Sequence, residues 1–506
     1  MSNSIADAGL RLAVIGAGTM GQGIAQVAIQ GGTEVILFDT AADAAAKAIT
    51  TIAGRLARLV EKGRIDQAAC DTALGLLQPA DNLTAIEAAD VVIEAVFEEL
   101  EIKQAVFREI EQRVSSDCIL ASNTSSIPID QIAAVCENPH RVAGMHFFNP
   151  VPLMKLVEII TATATDSNTV SVLTELGRRM GRTPVVVKDA PGFLVNMGGT
   201  AFTTEGLAIA QDGIATAAQI DAVMRDCHDF RMGPFELMDL TGMDVNFPVR
   251  QIIHEGYMYD PRLRSVPIHR SMHDAGRYGR KTGHGWYRYE DGRLLGAEAA
   301  DHQPAKQDYG ANAASIALAD PGDTRLADIA VRLGLEVVPD NGSLPLLAAP
   351  LGTDATDTAL GLGIDPKRLV AIDTLGRMES RVTLMQPPGA ESACADRIAT
   401  VLIAAGRKVT LIKDSPGFIG QRMVAMIANL GCYMAETGLA SPDDIDLAMQ
   451  LGLNYPLGPM GLAEAHGTDT LLQVLEETQR ITGFDRYRPT PWLRRRARLG
   501  LPPRTV

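Results

Sequence analysis

Short apolar runs alternate with longer helical stretches from Arg11 to about Asp189. The short runs predict seven strands: Arg11–Ile15, Glu34–Asp39, Ala89–Ala95, Cys118–Ser122, Arg141–Phe148, Lys155–Thr161 and Thr183–Asp189. Strands that alternate with helices in this way form parallel, doubly wound sheets. We therefore predict an α/β domain over residues 1–189.

Strand signals disappear after Gly192, and the pattern becomes helical. The segments Ala201–Ala210 and Ala217–Cys227 carry apolar residues at helical spacing. We predict an all-α domain over residues 190–289. Residues 290–323 follow as a linker, because they are rich in Ala, Asp, Gly and Gln without any periodicity.

A glycine-rich turn directly follows the first predicted strand and opens the first helical stretch. It reads Gly16-Ala-Gly-Thr-Met-Gly21, the G-x-G-x-x-G pattern whose glycines allow a tight turn, a close pyrophosphate and close helix packing. Asp39 ends the next strand, where a carboxylate binds the ribose 2′-hydroxyl and repels a 2′-phosphate. The pattern predicts a Rossmann domain that binds NAD rather than NADP. The residues expected to bind it are Gly16, Gly18, Thr19, Met20, Gly21 and Asp39.

The second half of the chain repeats the first at a constant offset of 225 positions, which carries Lys188–Phe193 onto Lys413–Phe418. The same offset relates Ile220-Asp221 to Ile445-Asp446, Gly233-Pro234 to Gly458-Pro459, and Asp260 to Asp485. A constant register over several motifs indicates duplication, since chance similarity drifts in register. We predict a second all-α domain over residues 413–506.

The strand-rich part of the second copy is shorter than that of the first and lacks the glycine pattern. Asn138–Val142 returns as Asp365–Leu369, but the position of His146 is taken by Asp373 or a neighbour. Residues 324–412 are therefore predicted to form a reduced, Rossmann-like domain without catalytic function.

Overall charge and cysteine spacing exclude several classes of protein. The formal net charge is −15, which repels nucleic acid, so an anionic cofactor has to be held by local groups. The six cysteines lack a C-x-x-C pair, and His269 and His273 lack the glutamate of a metalloprotease helix. The chain begins without a signal-like segment and contains no long apolar window. We expect a cytoplasmic protein with no metal site, nucleic-acid partner or membrane partner.

Four further motifs follow the glycine turn in order: Ser122-Asn-Thr-Ser-Ser126, His146-Phe-Phe-Asn-Pro150, Met154-Lys-Leu-Val-Glu158 and Asp189-Ala-Pro-Gly-Phe-Leu-Val-Asn196. In this order they resemble the signatures of the L-3-hydroxyacyl-CoA dehydrogenases, over residues 10–290 and partially from 410 onward. The resemblance implies reversible, NAD-dependent oxidation of an L-3-hydroxyacyl-CoA in fatty-acid or aromatic catabolism, such as that of phenylacetate. Long bacterial members with a degenerate second half resemble enzymes for 3-hydroxyadipyl-CoA or 3-hydroxybutyryl-CoA.

The reaction explains the residue types in these motifs. Oxidation of a secondary alcohol needs a base for the hydroxyl proton, and histidine is suited to that at neutral pH. The resemblance implies that His146 is the base and that Glu158 orients it, with Ser125 and Asn196 holding substrate oxygens. Alternatives are a packed core histidine, a helix-capping serine and an asparagine bound to its own backbone.

Further residues are assigned to the cofactor and to coenzyme A. Glu98 and Lys103 are similar in placement to family residues at the nicotinamide-side ribose, and an exposed ion pair between Glu99 and Lys103 is the alternative. Asn123 is also expected to bind the cofactor. Three cations recur at helical spacing and form a candidate clamp for the phosphates of coenzyme A, with a solvated helix face as the alternative. They are Arg55, Arg58 and Lys62.

The resemblance also implies that the helical domain makes the subunit contacts. We expect a homo-oligomer, a dimer, and the second helical domain could act as a built-in partner for the first. Two other functions stay open from the sequence. One is oxidation of a free hydroxy or sugar acid on the same scaffold, and the other is a non-catalytic NAD-binding structural protein.

Overall fold

A computed structural model describes residues 9–296, 300–307, 309–310 and 313–506. The polar start of the chain and parts of the predicted linker lie outside these residues. The fold divides into two compact units. The first unit comprises residues through Met197 together with Thr437–Leu453, and the second unit comprises Gly198–Glu436 and Asn454–Val506.

The first unit is built on an eight-stranded sheet of order β3-β2-β1-β4-β5-β6-β7-β8. Its strands are β1 Arg11–Ile15, β2 Glu34–Phe38, β3 Leu77–Ala80, β4 Val91–Glu94, β5 Ile119–Ser122, β6 Val142–Phe147, β7 Leu156–Thr161 and β8 Thr183–Lys188. The helices that follow them are α1 Thr19–Gln30, α2 Ala44–Glu61, α3 Gln67–Gly75, α4 Leu100–Glu111, α5 Ile129–Ala133, α6 Ser167–Arg179 and α7 Val195–Gln211.

Both faces of this sheet are buried. Along β1, Leu12 and Val14 belong to one apolar cluster, while Ala13 and Ile15 belong to the other. A sheet covered on both faces leaves its strand ends as the accessible edge. The carboxyl ends of β1, β4 and β5 therefore carry the residues available for binding.

The predicted α/β class is confirmed, and two details of the first sheet differ from the prediction. The strand β3 was missed because it is short and contains Pro79, which suits an edge strand that lacks one donor. The strands β6 and β7 are antiparallel, not parallel. The eight residues between them, 148–155, are too few for a parallel crossover connection.

Most of α7 belongs to the second unit, which continues with four further helices and a short hairpin. They are α8 Ala217–His228, α9 Pro234–Thr241, α10 Met243–Gly256, α11 Pro267–Asp274, β9 Arg288–Glu290 and β10 Arg293–Leu295. The predicted helices Ala201–Ala210 and Ala217–Cys227 correspond to α7 and α8.

A six-stranded sheet of order β12-β11-β13-β14-β15-β16 follows in the same unit. Its elements are β11 Ser315–Leu318, α12 Thr324–Arg332, β12 Glu336–Val337, β13 Leu346–Ala348, α13 Ala355–Leu362, β14 Leu369–Ile372, β15 Arg381–Gln386, α14 Ser392–Ala404 and β16 Lys408–Lys413. The strands β10 and β11 both lie within the segment predicted as a linker, so the hairpin extends beyond residue 289 and this sheet begins earlier than residue 324. The predicted domain boundaries otherwise stay a proposal.

The chain ends with the helices α15 Gly420–Glu436, α16 Pro442–Leu453, α17 Pro459–His466, α18 Thr468–Thr482 and α19 Pro491–Leu499. Of these, α16 belongs to the first unit. Among the described residues, the helices fall short of the length and apolar character needed to cross a lipid bilayer.

Equivalent helices of the two copies are exchanged between the sheets. Within the first unit, α16 of the second copy packs on β7 and β8. Within the second unit, α8 of the first copy packs on β15. The backbone agrees, because Lys188 N donates to Leu439 O at 2.9 Å and Lys413 N donates to Ile214 O at 3.1 Å. The offset of 225 relates these two bonds, so each copy supplies a helix to the sheet of the other.

Candidate active site

The glycine turn has the geometry that its sequence predicts. Gly16 has φ of 105°, and a Cβ there would lie 2.6 Å from the carbonyl oxygen of Ala95. Gly21 packs against the carbonyl of Gly16, whereas a Cβ added at Gly18 would meet nothing within 4 Å. Gly18 is also the residue that caps α1. The turn is therefore closely packed at Gly16 and Gly21 but has open space at Gly18. This space lies at the N-terminus of a helix, which is a suitable place for a phosphate.

A cavity of about 360 Å³ lies beside this turn in the first unit. Asp39 is at its wall and accepts hydrogen bonds from Ala17 N at 2.7 Å and Ala41 N at 2.9 Å. An acid beside an open glycine turn fits the adenosine half of NAD. The expected residues that line this cavity are Gly16, Gly18, Thr19, Met20 and Asp39. Gly21, Glu98, Lys103 and Asn123 lie elsewhere.

A buried ion pair lies at the end of β4. Lys103 Nζ is 2.8 Å from Glu94 Oε1 and 3.3 Å from Glu98 Oε2, and the Lys103 side chain is 1% exposed. The alternative of an exposed pair with Glu99 is therefore wrong, because the ammonium group of Lys103 points inward. Ser122 Oγ donates to the second oxygen of Glu94 at 2.7 Å. Glu94 was not among the residues predicted from the sequence, where its signal is an acid that ends an apolar strand.

Glu98 holds the loop that carries Ser125. Its Oε1 accepts hydrogen bonds from Thr124 Oγ1 at 2.7 Å, Ser125 N at 2.8 Å and Ser126 N at 3.0 Å. Partial burial favours the neutral acid, but Lys103 and these donors outweigh it and hold the pKa of Glu98 below its ordinary value. The carboxylate is thus an anchor for the loop between β5 and α5. A role at the nicotinamide-side ribose stays a prediction for Glu98 and Lys103.

The antiparallel pairing of β6 and β7 brings the predicted base and its partner together. His146 stands opposite Glu158 in the register of these strands, and Nδ1 lies 2.6 Å from Glu158 Oε2. The other carboxylate oxygen accepts from Leu194 N at 3.1 Å and Val195 N at 2.8 Å. These amides lie at the start of α7, so a helix N-terminus helps to hold the buried carboxylate.

Ser125 completes the constellation on the other side of the imidazole ring. Its Oγ lies 3.1 Å from His146 Nε2, and its carbonyl accepts from Asn196 Nδ2 at 3.4 Å. Asn123 Oδ1 accepts from Phe147 N at 2.9 Å, which ties the same loop to β6. The structure therefore brings all four predicted catalytic residues together. It gives Asn123 a backbone contact, while its expected contact with the cofactor stays a prediction.

The alternative interpretation of His146 as a packed core residue accounts for only part of its surroundings. The ring is almost buried, with the rings of Phe148 and Phe193 at centroid distances of 4.5 and 5.7 Å. Both nitrogens nevertheless have polar partners. A proton on Nδ1 is bound by Glu158, which leaves the Nε2 lone pair directed at Ser125 Oγ.

The candidate cations for coenzyme A lie on and just after α2. Arg55 donates to Gln22 Oε1 at 3.1 Å and lines a pocket of about 480 Å³ in the first unit. Arg58 is exposed on the same helix, and Lys62 is exposed at its C-terminal end. Their contact with coenzyme A stays a prediction.

The second copy has no imidazole at the equivalent place. Asp373 follows β14, and its amide donates to Thr383 O at 3.1 Å, as the register of β14 and β15 continues. These two residues take the places of His146 and Glu158. Gln421 Nε2, 225 positions after Asn196, donates to Asp373 Oδ1 at 3.0 Å. This buried pair is part of the packing, and burial raises the pKa of Asp373 to about 6.

Comparison with known proteins agrees with this geometry. Residues 11–190 match the model of the 3-hydroxyacyl-CoA dehydrogenase NAD binding domain. Residues 192–289 and 417–505 match the 3-hydroxyacyl-CoA dehydrogenase C-terminal domain, so the helical domain is matched twice.

Relatives of full and of half length are known. A 3-hydroxyadipyl-CoA dehydrogenase of Escherichia coli is 36% identical over 96% of this chain and 97% of its own. A crystal structure of an Escherichia coli 3-hydroxybutyryl-CoA dehydrogenase superposes with a TM-score of 0.84 at 35% identity, covering 97% of this chain and 99% of its own. A crystal structure of (S)-3-hydroxybutyryl-CoA dehydrogenase from Ralstonia eutropha, 36% identical, covers 56% of this chain and 100% of its own with a TM-score of 0.55. The chain belongs to the 3-hydroxyacyl-CoA dehydrogenase family and is an NAD-dependent oxidoreductase that acts on a CH–OH group.

Proposed function

We propose that this chain oxidises a short L-3-hydroxyacyl-CoA to the 3-oxoacyl-CoA with His146 as the base. The observation that carries the proposal is the line Ser125 Oγ, His146, Glu158, with contacts of 3.1 Å and 2.6 Å on opposite sides of the ring. A base held by a carboxylate, with a serine hydroxyl beside its free nitrogen to hold the substrate oxygen, is the arrangement that proton abstraction from an alcohol needs.

Each residue has a defined task in this reaction. When bound, NAD supplies the acceptor for the hydride that leaves the substrate carbon. His146 Nε2 takes the hydroxyl proton, and Glu158 stabilises the positive charge that then develops on the ring. Ser125 Oγ donates a hydrogen bond to the 3-oxygen of the substrate, and the amide of Asn196 holds a neighbouring oxygen.

The substrate class is proposed from the names of the relatives and from the cations of α2. The full-length Escherichia coli relative is named for 3-hydroxyadipyl-CoA, and others are named for 3-hydroxybutyryl-CoA. Both are thioesters of coenzyme A, whose phosphates need cations on an acidic protein. Arg55, Arg58 and Lys62 supply these charges in the first unit. A free hydroxy acid carries no such phosphates, so this alternative leaves the three cations without a task.

The experiment follows NADH absorbance with acetoacetyl-CoA, 3-oxoadipyl-CoA and a free 3-oxo acid in separate reactions. We expect strong preference for the thioesters, and the ratio of kcat/KM between the first two decides the acyl chain. Equal rates with the free acid would refute the coenzyme A assignment. NADH binding without turnover of any of the three would favour the non-catalytic alternative.

We also propose that the second copy takes the place of a partner subunit. Within the second unit, Glu205 of α7 is buried, and its carboxylate lies 2.7 Å from Arg422 of α15 and 3.2 Å from Arg486. Separating a fully buried carboxylate from two guanidinium groups costs free energy, because it leaves buried charges without a partner. These contacts support pairing of the two helical copies within one chain. A dimer of whole chains and a cytoplasmic location remain proposals from the sequence.

A further inference from the structure

We infer that the second copy completes the active site, and that Gly452 in its helix α16 is a positioning residue for the catalytic pair. This inference rests on the proposed function, because it concerns the same His146 and Glu158. It extends that function to a part of the chain that carries none of the catalytic motifs.

Helix α16 packs on β7 and β8 of the first unit, and β7 carries Glu158. Three apolar residues of α16, Ile445, Ala448 and Met449, are fully buried, and Asp446 is buried with them. Helix α16 is therefore a buried helix in contact with the catalytic strand.

Gly452, in the last turn of α16, lies close to buried side chains of the first unit. A Cβ at this position would lie 3.1 Å from both γ carbons of Val195 and 3.2 Å from Leu156 Cδ2. Such distances are shorter than ordinary carbon contacts of about 3.5–4.0 Å. Both neighbours are buried, so they have little room to move. The absence of a side chain at Gly452 therefore determines how closely the start of α7 approaches α16.

Val195 is linked to the catalytic pair through its backbone amide. The amide of Val195 donates to Glu158 Oε1 at 2.8 Å, and the opposite oxygen of that carboxylate binds His146 Nδ1 at 2.6 Å. The next residue is Asn196, whose side chain contacts the loop of Ser125. A displacement of Val195 by a few tenths of an ångström is therefore transmitted to the base His146 through Glu158. It is also transmitted through Asn196 to the place where the substrate oxygen binds.

The duplicated fold provides a matched control. The offset of 225 relates Gly452 to Cys227 at the end of α8, and Cys227 packs against the second sheet, with Sγ 3.6 Å from Arg381 O. Thr383 and Gln421 stand there in place of Glu158 and Asn196. An enlarged side chain at 227 disturbs equivalent packing at a place where no catalytic pair exists.

The experiment compares Gly452→Ala, Gly452→Val and Cys227→Leu in the full-length protein, with acetoacetyl-CoA and NADH as substrates. We expect kcat to fall about threefold in the alanine variant and at least tenfold in the valine variant, with the dissociation constant of NADH changed less than twofold. Cys227→Leu keeps the wild-type kcat. In the double variant Gly452→Ala, Val195→Ala, the added methyl group gains space and most of kcat returns.

The outcomes separate this inference from the proposed function. Wild-type kcat in the folded glycine variants, or an equal loss in Cys227→Leu, overturns the positioning role of Gly452. If Gly452→Val fails to fold, the alanine variant and its rescue by Val195→Ala decide the question. Absence of turnover in the wild-type protein, in contrast, refutes the proposed function before any variant is compared.

Discussion

At the scale of single residues, the imidazole of His146 links the substrate side of the site to a buried carboxylate. Its two nitrogens contact Ser125 and Glu158, and the carboxylate is itself held by two backbone amides of α7. A base in this arrangement keeps one tautomer and one orientation through the reaction. The consequence is that the ring tolerates little substitution, even by residues of similar size.

We predict that His146→Gln loses about 10²- to 10⁴-fold in kcat/KM with acetoacetyl-CoA, because glutamine forms hydrogen bonds but does not take a proton at neutral pH. The cavity beside the glycine turn is unchanged, so NADH binds as in the wild type. Stopped-flow turnover and fluorescence titration with NADH check the two parts. Turnover at the wild-type rate would show that another group is the base.

The sequence predicted the catalytic residues better than their supports. The four catalytic residues lie in motifs that can be recognised from the sequence, and the structure brings them together. They are His146, Glu158, Ser125 and Asn196. Glu94 carries no such motif, and its pairing with Lys103 depends on how two loop ends meet in space. Buried ion pairs of this kind arise from tertiary packing, which local sequence patterns do not predict.

At the scale of elements, the loop between β5 and α5 is the least regular part of the site and depends on one side chain. Glu98 accepts four hydrogen bonds from this loop, through the amides of Ser125 and Ser126 and through two hydroxyl groups. Partial burial opposes ionisation, but these bonds and Lys103 outweigh it, which is why the pKa of Glu98 lies below its ordinary value. Ionisation of Glu98 and order in the loop are therefore linked.

We predict that Glu98→Gln lowers the free energy of unfolding at pH 7, and that this difference from the wild type shrinks at acid pH. The stabilisation is present above the unfolded-state pKa near 4.5 and is lost as pH falls through the lower, folded-state value. Urea unfolding of both proteins at pH 7 and at pH 4 checks it. A difference that grew on acidification would contradict the assigned direction of the pKa.

Two strands, β3 and β7, were not predicted correctly from the hydrophobic pattern. The strand β3 is short, and half of its residues are exposed, so an apolar run was absent. The direction of β7 was misjudged because alternation of strands and helices says nothing about a hairpin inserted within it. In both cases pairing with a neighbouring strand decides the outcome: β3 pairs with the distant strand β2, and β7 pairs with β6 across a short connection.

At the scale of the whole molecule, the repeat was visible in the sequence, but the exchange of α8 and α16 was not. Each helix has the same local pattern whether it packs on the sheet of its own copy or on the other. A constant offset of 225 is equally compatible with both arrangements. Domain exchange of this kind is therefore settled by chain connectivity and by tertiary contacts.

We predict that a chain truncated after Gly310 associates through α8. In the truncated chain β7 and β8 lack α16, and α8 lacks the second sheet. Two such chains can satisfy each other, because α8 of one is equivalent to the missing α16 of the other. Light scattering is expected to find twice as many chains per particle as in the full-length protein. A fully active truncated protein with an unchanged number of chains would refute the built-in partner.

The exchanged helices also constrain the order in which the protein can be made. The last strand of the first sheet ends at Lys188, but the helix that covers β7 and β8 starts at Pro442. During synthesis the first sheet therefore emerges from the ribosome while an apolar face at β7 and β8 is still exposed. The catalytic strands reach their final environment only after Pro442–Leu453 has also been synthesised, so activity can appear only once this late helix is available to cover them.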